Sequence, residues 1–285
     1  MADSLTTSPP QVPVAAGPDA ATAVRWAGKL TVLIPAHNEE AGIARTIHAI
    51  YGTLRGESVP HEILVVLDHC TDNTAAVLNA MRSDVPVLRT VVNRGAGGFG
   101  LAVRRGLDSM QGDAVAIVMA DASDDPRDIV QYYRKLEEGY DCVFGSRFAA
   151  GASVRNYPPL KLWLNRMGNQ AIRLLFRTGY NDTTNAFKCY RREVVEGLRP
   201  FLSNHFNLTV ELPLKAMVRG YTWTVVPTNW LGRATGESKF VIKEMGSRYL
   251  FIILYCLIEK YFSRGDYVRP SSSPEPVVNS KAERA

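Results

Sequence analysis

Leu30-Thr31-Val32-Leu33-Ile34-Pro35-Ala36-His37-Asn38-Glu39-Glu40 sets how the rest of the chain is read. It begins as an unbroken β-prone run and ends in a proline and a polar turn. A run of this kind, without alternation of polar and apolar residues, predicts a strand buried on both faces. Four further runs share the pattern: Glu62–Leu67, Val87–Val92, Ala114–Met119 and Asp141–Gly145. Helical periodicity fills the intervals at about 39–51, 72–82, 97–110 and 126–138. Alternation of this type predicts an α/β fold, a parallel sheet with helices on both faces. Ligands of such sheets bind beyond the carboxyl ends of the strands, so those loops are where chemistry is sought.

In the first loop, Asn38 is placed to cap the following helix, and Glu39 and Glu40 suit its positive end. The same loop could instead put Glu39 on a ribose or base and His37 against a nucleotide. The second loop is Asp68-His69-Cys70-Thr71-Asp72-Asn73-Thr74. Asp72 or Thr71 serves as a helix cap, whereas Asp68, at the tip of a buried strand, can accept hydrogen bonds from a nucleobase. His69 and Cys70 have no second ligand at a spacing that suits a metal. Asn93-Arg94-Gly95-Ala96-Gly97-Gly98-Phe99-Gly100 opens a helix. Its glycines fit either an anion held on backbone N–H groups or a tight turn, and the segment lacks the Lys-Ser/Thr end of a P-loop.

The fourth loop, Ala120-Asp121-Ala122-Ser123-Asp124-Asp125-Pro126, places three acids within five residues after a buried strand. Such crowding calls for a cation, and Mg²⁺ or Mn²⁺ carrying a diphosphate suits one or two carboxylates. Asp121 is the first candidate ligand and Asp124 the second, with Asp125 capping the helix that Pro126 starts.

With 46% hydrophobic and 21% charged residues, the 285-residue chain is neither wholly disordered nor a disulfide scaffold. Its net charge of +5 favours anionic partners such as phosphates or lipid headgroups. No nucleic-acid partner is expected. Four dispersed cysteines without a CxxC pair fit a reducing cytoplasm. Residues 1–23 contain no Lys or Arg, so no secretory signal is read there. The longest apolar run, Tyr249–Ile258, is shorter than the ~20 residues that span a bilayer. Residues 240–266 read as an amphipathic helical segment, either docked on the core or lying on a membrane surface. Residues 1–28 and 267–285 read as disordered tails.

From about residue 29 to 245 the chain resembles a family 2 glycosyltransferase of the GT-A fold, in the branch of the dolichyl-phosphate mannose synthases and polyprenyl-phosphate glycosyltransferases. Val32–Glu40, Asp68 with Thr71–Thr74, Gly145-Ser146-Arg147-Phe148, Asp182–Arg192 and Arg233–Lys239 carry the resemblance, in order and spacing. It implies a catalytic domain over residues 29–239. Pro35, His37, Glu39, Asp68 and Arg94 would surround the nucleotide sugar. Asp121 matches the second acid of the family's Asp-x-Asp metal motif, and Met119 stands where the first belongs. The following Ser123-Asp124-Asp125 would then supply the missing ligand, or the ion would be held chiefly by Asp121 and phosphates. Arg147, Arg166, Arg233 and Lys239 match the cations of the donor diphosphate and the acceptor phosphate. Asp182 and Glu211 match family positions without a defined role. The Gln-x-x-Arg-Trp signature of processive polysaccharide synthases is absent, which disfavours polymer synthesis.

The resemblance therefore implies inverting transfer of a hexose, from GDP-mannose ahead of a UDP-sugar, to a polyprenyl phosphate, with Mg²⁺ or Mn²⁺. The enzyme would be cytoplasmic, in peripheral contact with a membrane. A soluble glycosyltransferase with a small-molecule, glycolipid or protein acceptor is the first alternative. A nucleotide-sugar-binding protein that has lost catalysis, suggested by Met119, is the second.

Overall fold

The computed structural model describes residues 28–232 and 242–269, with side chains of the second segment described from residue 246. Arg233, Lys239 and most of the two expected tails lie outside these residues. Among the described residues, β1 (Leu30–Ala36), β2 (His61–Asp68), β3 (Leu88–Asn93), β4 (Ala114–Ile117) and β5 (Cys142–Ser146) follow the five apolar runs. Between them stand α1 (Ile43–Gly56), α2 (Thr74–Ala80), α3 (Phe99–Ser109) and α4 (Pro126–Glu137). The chain continues through β6 (Ser153–Arg155), α5 (Pro159–Phe176), β7 (Lys188–Arg191), α6 (Arg192–Gly197) and α7 (Leu208–Val218). It then forms β8 (Trp223–Pro227), β9 (Asn229–Leu231) and α8 (Ile242–Phe262).

The central sheet has seven strands in the order β3-β2-β1-β4-β7-β5-β8, and a small parallel pair joins β6 to β9. Six of the seven strands run parallel. The exception is β7, which pairs antiparallel with both β4 and β5. Alternate residues of each strand feed two cores, as period-two geometry requires. Val32 and Ile34 pack with Ile47 of α1 and Ile129 of α4, while Leu33, Leu64 and Val66 pack with Val103 and Leu107 of α3. Coverage of both faces explains why the strands are apolar throughout. It also confines polar chemistry to the strand ends.

One expectation fails at α1. Asn38 does not cap that helix, which starts only at Ile43 with Gly42 as its N-cap residue. Asn38 adopts a left-handed conformation (φ 56°), and its Oδ1 accepts from the backbone N–H of Thr71 at 2.7 Å. Its carboxamide is thus committed to the neighbouring loop.

On the far side of α7, α8 closes a third apolar cluster with α5, built from Ile172, Phe176, Val210, Leu214, Ile252 and Cys256. A buried ion pair locks this layer. Arg219 Nε and Nη2 donate to Glu259 at 2.7 and 3.0 Å.

Two stability predictions follow from these contacts. Glu259→Ala leaves Arg219 buried without its counter-charge, and is expected to lower the unfolding free energy by about 3–5 kcal/mol in urea titration. Glu62 is buried at the start of β2 and accepts from Thr31 Oγ1 (2.6 Å), Arg89 (2.5 Å) and the N–H of Gln111 (2.6 Å). Burial opposes its charge, but these bonds prevail and hold its carboxyl below the usual range. A depressed carboxyl stabilises the fold at pH values above the unfolded pKa and ceases to do so as pH falls through the folded one. Glu62→Gln should therefore flatten the loss of stability on acidification below about pH 4.5, measured by thermal melts across that range.

Candidate active site

Three non-glycine residues just past strand ends sit in the left-handed region: Asn38 after β1, His69 after β2 and Ala122 after β4, with φ of 56°, 53° and 57°. Such backbone is costly and persists where surrounding contacts hold it. Here the loops are stitched to one another. His37 Nδ1 donates to the Asp68 carbonyl at 2.6 Å, and the N–H of Glu39 donates to Thr74 Oγ1 at 2.9 Å. Glu40 Oε2 accepts from the N–H of Asn73 at 2.8 Å, and Asp72 Oδ1 receives the first N–H of α2 at 3.0 Å, from Thr74. Pro35 lies half-buried within β1, opposite Val66 of β2.

Asp68 is buried at the tip of β2, and its carboxylate organises the glycine turn. Oδ2 accepts from the N–H of Gly98 at 2.8 Å, and Oδ1 accepts from Asn93 Nδ2 at 2.8 Å and His69 Nδ1 at 3.0 Å. Burial works against the charge, but these donors outweigh it and hold the carboxyl below its ordinary range. The glycines, which the sequence left open between two readings, serve a close approach. A Cβ on Gly98 (φ 144°) would lie 2.9 Å from the Asn204 carbonyl oxygen, and one on Gly100 would lie 2.6 Å from the Asn204 carbonyl carbon. The N–H of Gly98 is therefore engaged by Asp68 rather than offered to a phosphate. Arg94 is exposed and lines an open groove with Val92, Gly95 and Arg105 at the outer edge of β3, three strand steps from the acid loop.

In the acid loop, Asp125 caps α4 as expected, accepting from the N–H of Arg127 at 2.9 Å. The carboxylate of Asp121 accepts from the N–H of Ser123 at 3.1 Å. Asp124 turns back through Ala122 so that its Oδ2 accepts from the N–H of Met119 at 3.1 Å. Burial pushes the Asp124 carboxyl up to about 7, and the neighbouring charge of Asp121 adds to the shift. Two carboxylates this close on one turn, one of them desolvated, form a donor set that fits a hard divalent cation. Among the described residues, no group of three His, Cys, Asp or Glu is gathered for a metal.

The cationic side stands at the end of β5. Arg147 is buried, and Asp182 grips it with both carboxylate oxygens: Nε at 2.9 Å, Nη2 at 2.7 Å and the backbone N–H at 2.8 Å. Burial alone would disfavour the guanidinium charge, and Asp182 more than restores it. The ring of Phe148 is close to two guanidiniums, that of Arg147 at 5.4 Å and that of exposed Arg166 from α5 at 5.1 Å.

Sequence reasoning assigned nothing to Lys188. Because β7 runs backwards, its first residue reaches the edge where β4 and β5 end, in register with Ile117 and Phe144. The buried amine donates to the carbonyls of Thr183 (3.0 Å), Thr209 (3.1 Å) and Asn185. Burial pushes it down to about 7. It pins the loop that carries Asp182. Glu211 has a parallel role: it accepts from the N–H groups of Leu202 (2.8 Å) and Ser203 (2.7 Å), bracing the segment that meets the glycine turn. A buried lysine gives no local signal in sequence, and Asp182 and Glu211 were marked only by resemblance.

The sequence profile of glycosyl transferase family 2 matches residues 31–199. The chain belongs to that family. It is 31% identical over 230 residues to polyprenol monophosphomannose synthase of Mycolicibacterium smegmatis, covering 79% of this chain and 85% of that one. It is 29% identical over 216 residues to dolichol-phosphate mannosyltransferase of Pyrococcus furiosus, covering 74% of this chain and 59% of the archaeal enzyme. Glucosyl-3-phosphoglycerate synthase of Mycobacterium tuberculosis, solved with Mn²⁺, UDP and phosphoglyceric acid, superimposes with a TM-score of 0.60 at 20% identity, covering 85% and 80% of the two chains. The fold is thus GT-A, and the protein is a glycosyltransferase.

Asp182→Asn keeps the size of the side chain but removes the charge that neutralises Arg147. It is expected to lower stability by about 3 kcal/mol, measured as a shift in urea midpoint at unchanged slope.

Proposed function

We propose that this glycosyltransferase moves a mannosyl group from GDP-mannose to a polyprenyl phosphate, inverting the anomeric centre. The observation that carries this reading is the 31% identity to polyprenol monophosphomannose synthase across most of both chains. The layout of the strand ends supports it. Asp68 ends β2 and Asp121 lies in the loop after β4, and these two strands flank β1, which puts the acids on either side of the β1 loop, an arrangement suited to a nucleoside between them. His37 and Glu39 border that span, with Pro35 beneath.

Asp121 and Asp124 would hold the Mg²⁺ or Mn²⁺. Bound there, the ion neutralises charge developing on the leaving diphosphate. The chain's own groups do the rest. Arg147, fixed by Asp182, is a stationary positive charge that needs no reorganisation during reaction. Arg166, exposed above Phe148, meets the acceptor phosphate, and Arg233 and Lys239 complete the cationic set. A phosphate monoester with a second pKa of about 6 is largely dianionic at pH 7, so no strong general base is required. One of its oxygens forms the new bond to the anomeric carbon as the bond to the nucleoside diphosphate breaks. The reaction takes place at the cytoplasmic face of a membrane, in keeping with four free cysteines.

Binding to the native state raises the melting midpoint by mass action. GDP-mannose is expected to raise it more than UDP-glucose or UDP-N-acetylglucosamine, and Mn²⁺ should enlarge the shift. Asp121→Asn and Asp124→Asn should each abolish the metal-dependent part. Mass spectrometry should detect mannosyl phosphopolyprenol after incubation with donor and acceptor. A shift specific to a UDP-sugar, or sugar found only on a water-soluble acceptor, would overturn the assignment.

A further inference from the structure

Asp68 has limited room for a base. An ionised carboxylate offers about four lone-pair positions, shared equally by its oxygens. Among the described residues three are filled: Oδ1 accepts from Asn93 Nδ2 and His69 Nδ1, and Oδ2 accepts from the N–H of Gly98. The carboxyl is held below its ordinary range and carries no proton, so the proton between it and the imidazole sits on Nδ1. The open position is on Oδ2.

The donors differ in what it takes to move them. The N–H of Gly98 is backbone, wedged where a Cβ would meet the Asn204 carbonyl oxygen at 2.9 Å. Asn93 is buried, and the same carboxamide donates to the Ala96 carbonyl at 2.9 Å and accepts from the N–H of Gly95 at 3.2 Å. The His69 side chain, by contrast, is 50% exposed, and its ring makes no other hydrogen bond among the described residues. It lies over Gly97, where a Cβ would come within 3.2 Å of Nδ1, so the missing side chain there gives the ring its place. The backbone of His69 turns left-handed (φ 53°) and brings the ring back onto the carboxylate of the preceding residue.

Nucleobases differ in the donors they bring to such an acceptor. Uracil has a single one, N3–H, and the open position on Oδ2 takes it. Guanine presents a pair side by side, N1–H and the 2-amino group, and a two-point contact needs a position on each oxygen. Oδ1 has none free while His69 is in place.

We propose that His69 is a base-specificity residue, a gate that a guanine nucleotide must swing off Asp68 Oδ1 and that a uracil nucleotide leaves shut. The inference deepens the guanine-nucleotide donor assigned above and rests on that reading for Asp68 as the group that meets the base. Half in solvent, the ring can leave and have its N–H hydrated. Opening therefore costs one hydrogen bond, a factor of roughly three to ten in affinity. Removing the ring lifts that cost for guanine alone.

The test measures GDP and UDP binding to the full chain by calorimetry at a fixed Mn²⁺ concentration. His69→Gly removes the ring and suits the left-handed backbone, and His69→Asn keeps a side chain that enters that region readily. Both should bind GDP about three- to tenfold more tightly than wild type does, with UDP affinity held within about twofold. In wild type labelled with ¹⁵N-histidine, the His69 ring signals, assigned by their loss in the variants, should leave the Nδ1–H form when GDP is added and keep it with UDP. A change by the same factor for both nucleotides would reduce His69 to a structural role and overturn the gate. So would His69 signals that stay in place in the GDP complex. Wild type that prefers UDP, with both variants moving towards GDP, supports the gate and overturns the donor assigned above.

Discussion

The carboxylate of Asp68 receives hydrogen bonds from Gly98, Asn93 and His69, and its own carbonyl receives one from His37. Three loops that leave three different strands therefore converge on one residue. Its burial makes these bonds consequential, since a carboxylate shielded from water without donors would be costly. Once Asp68 is fixed, the glycine turn has one path, the segment through Asn204 can lie against it, and the floor between β1 and β2 is set. The loops after β1, β2 and β3 are held in place by this single group.

The end of β5 is built on an analogous plan with opposite sign. Arg147 is the buried charge, Asp182 its counter-ion, and Lys188 the brace that holds the loop of Asp182 through backbone carbonyls. Between the two halves lies the acid loop, where Asp121 and Asp124 confront each other across the left-handed Ala122. Methionine stands at position 119, and its amide holds the carboxylate of Asp124, which comes from further along the chain, in place.

Much of this was legible in the sequence because the strands are buried on both faces, which produces continuous apolar runs that no surface element imitates. The five runs and the helices between them are legible on that signal, and the cap at Asp125 on the proline that follows it. The start of α1 was not, because Asn38 looks like a cap locally and is claimed by Thr71 across a tertiary contact. Lys188-Cys189-Tyr190-Arg191 begins and ends on a cation, so a buried central strand was hidden behind surface-like chemistry. The glycines at 98 and 100 answer to Asn204, about a hundred residues away, and no local pattern carries that information. Arg147 and Arg166 were picked out as cations, but their common ring at Phe148 emerges only in the fold.

The position of β7 also bears on the order in which the molecule is made. β5 has no direct hydrogen-bonded neighbour among β1 to β4; it joins the sheet through β7 on one side and pairs with β8 on the other. During synthesis β3, β2 and β1 have all their sheet partners once about 120 residues have emerged, and β4 has one of its two. The β5 side of the sheet must wait for residue 188 and beyond. Across that interval β4 presents an open edge, bearing the acid loop, to the rest of the cell. The buried charges of Asp68 and Arg147 are thus separated in time as well as in space.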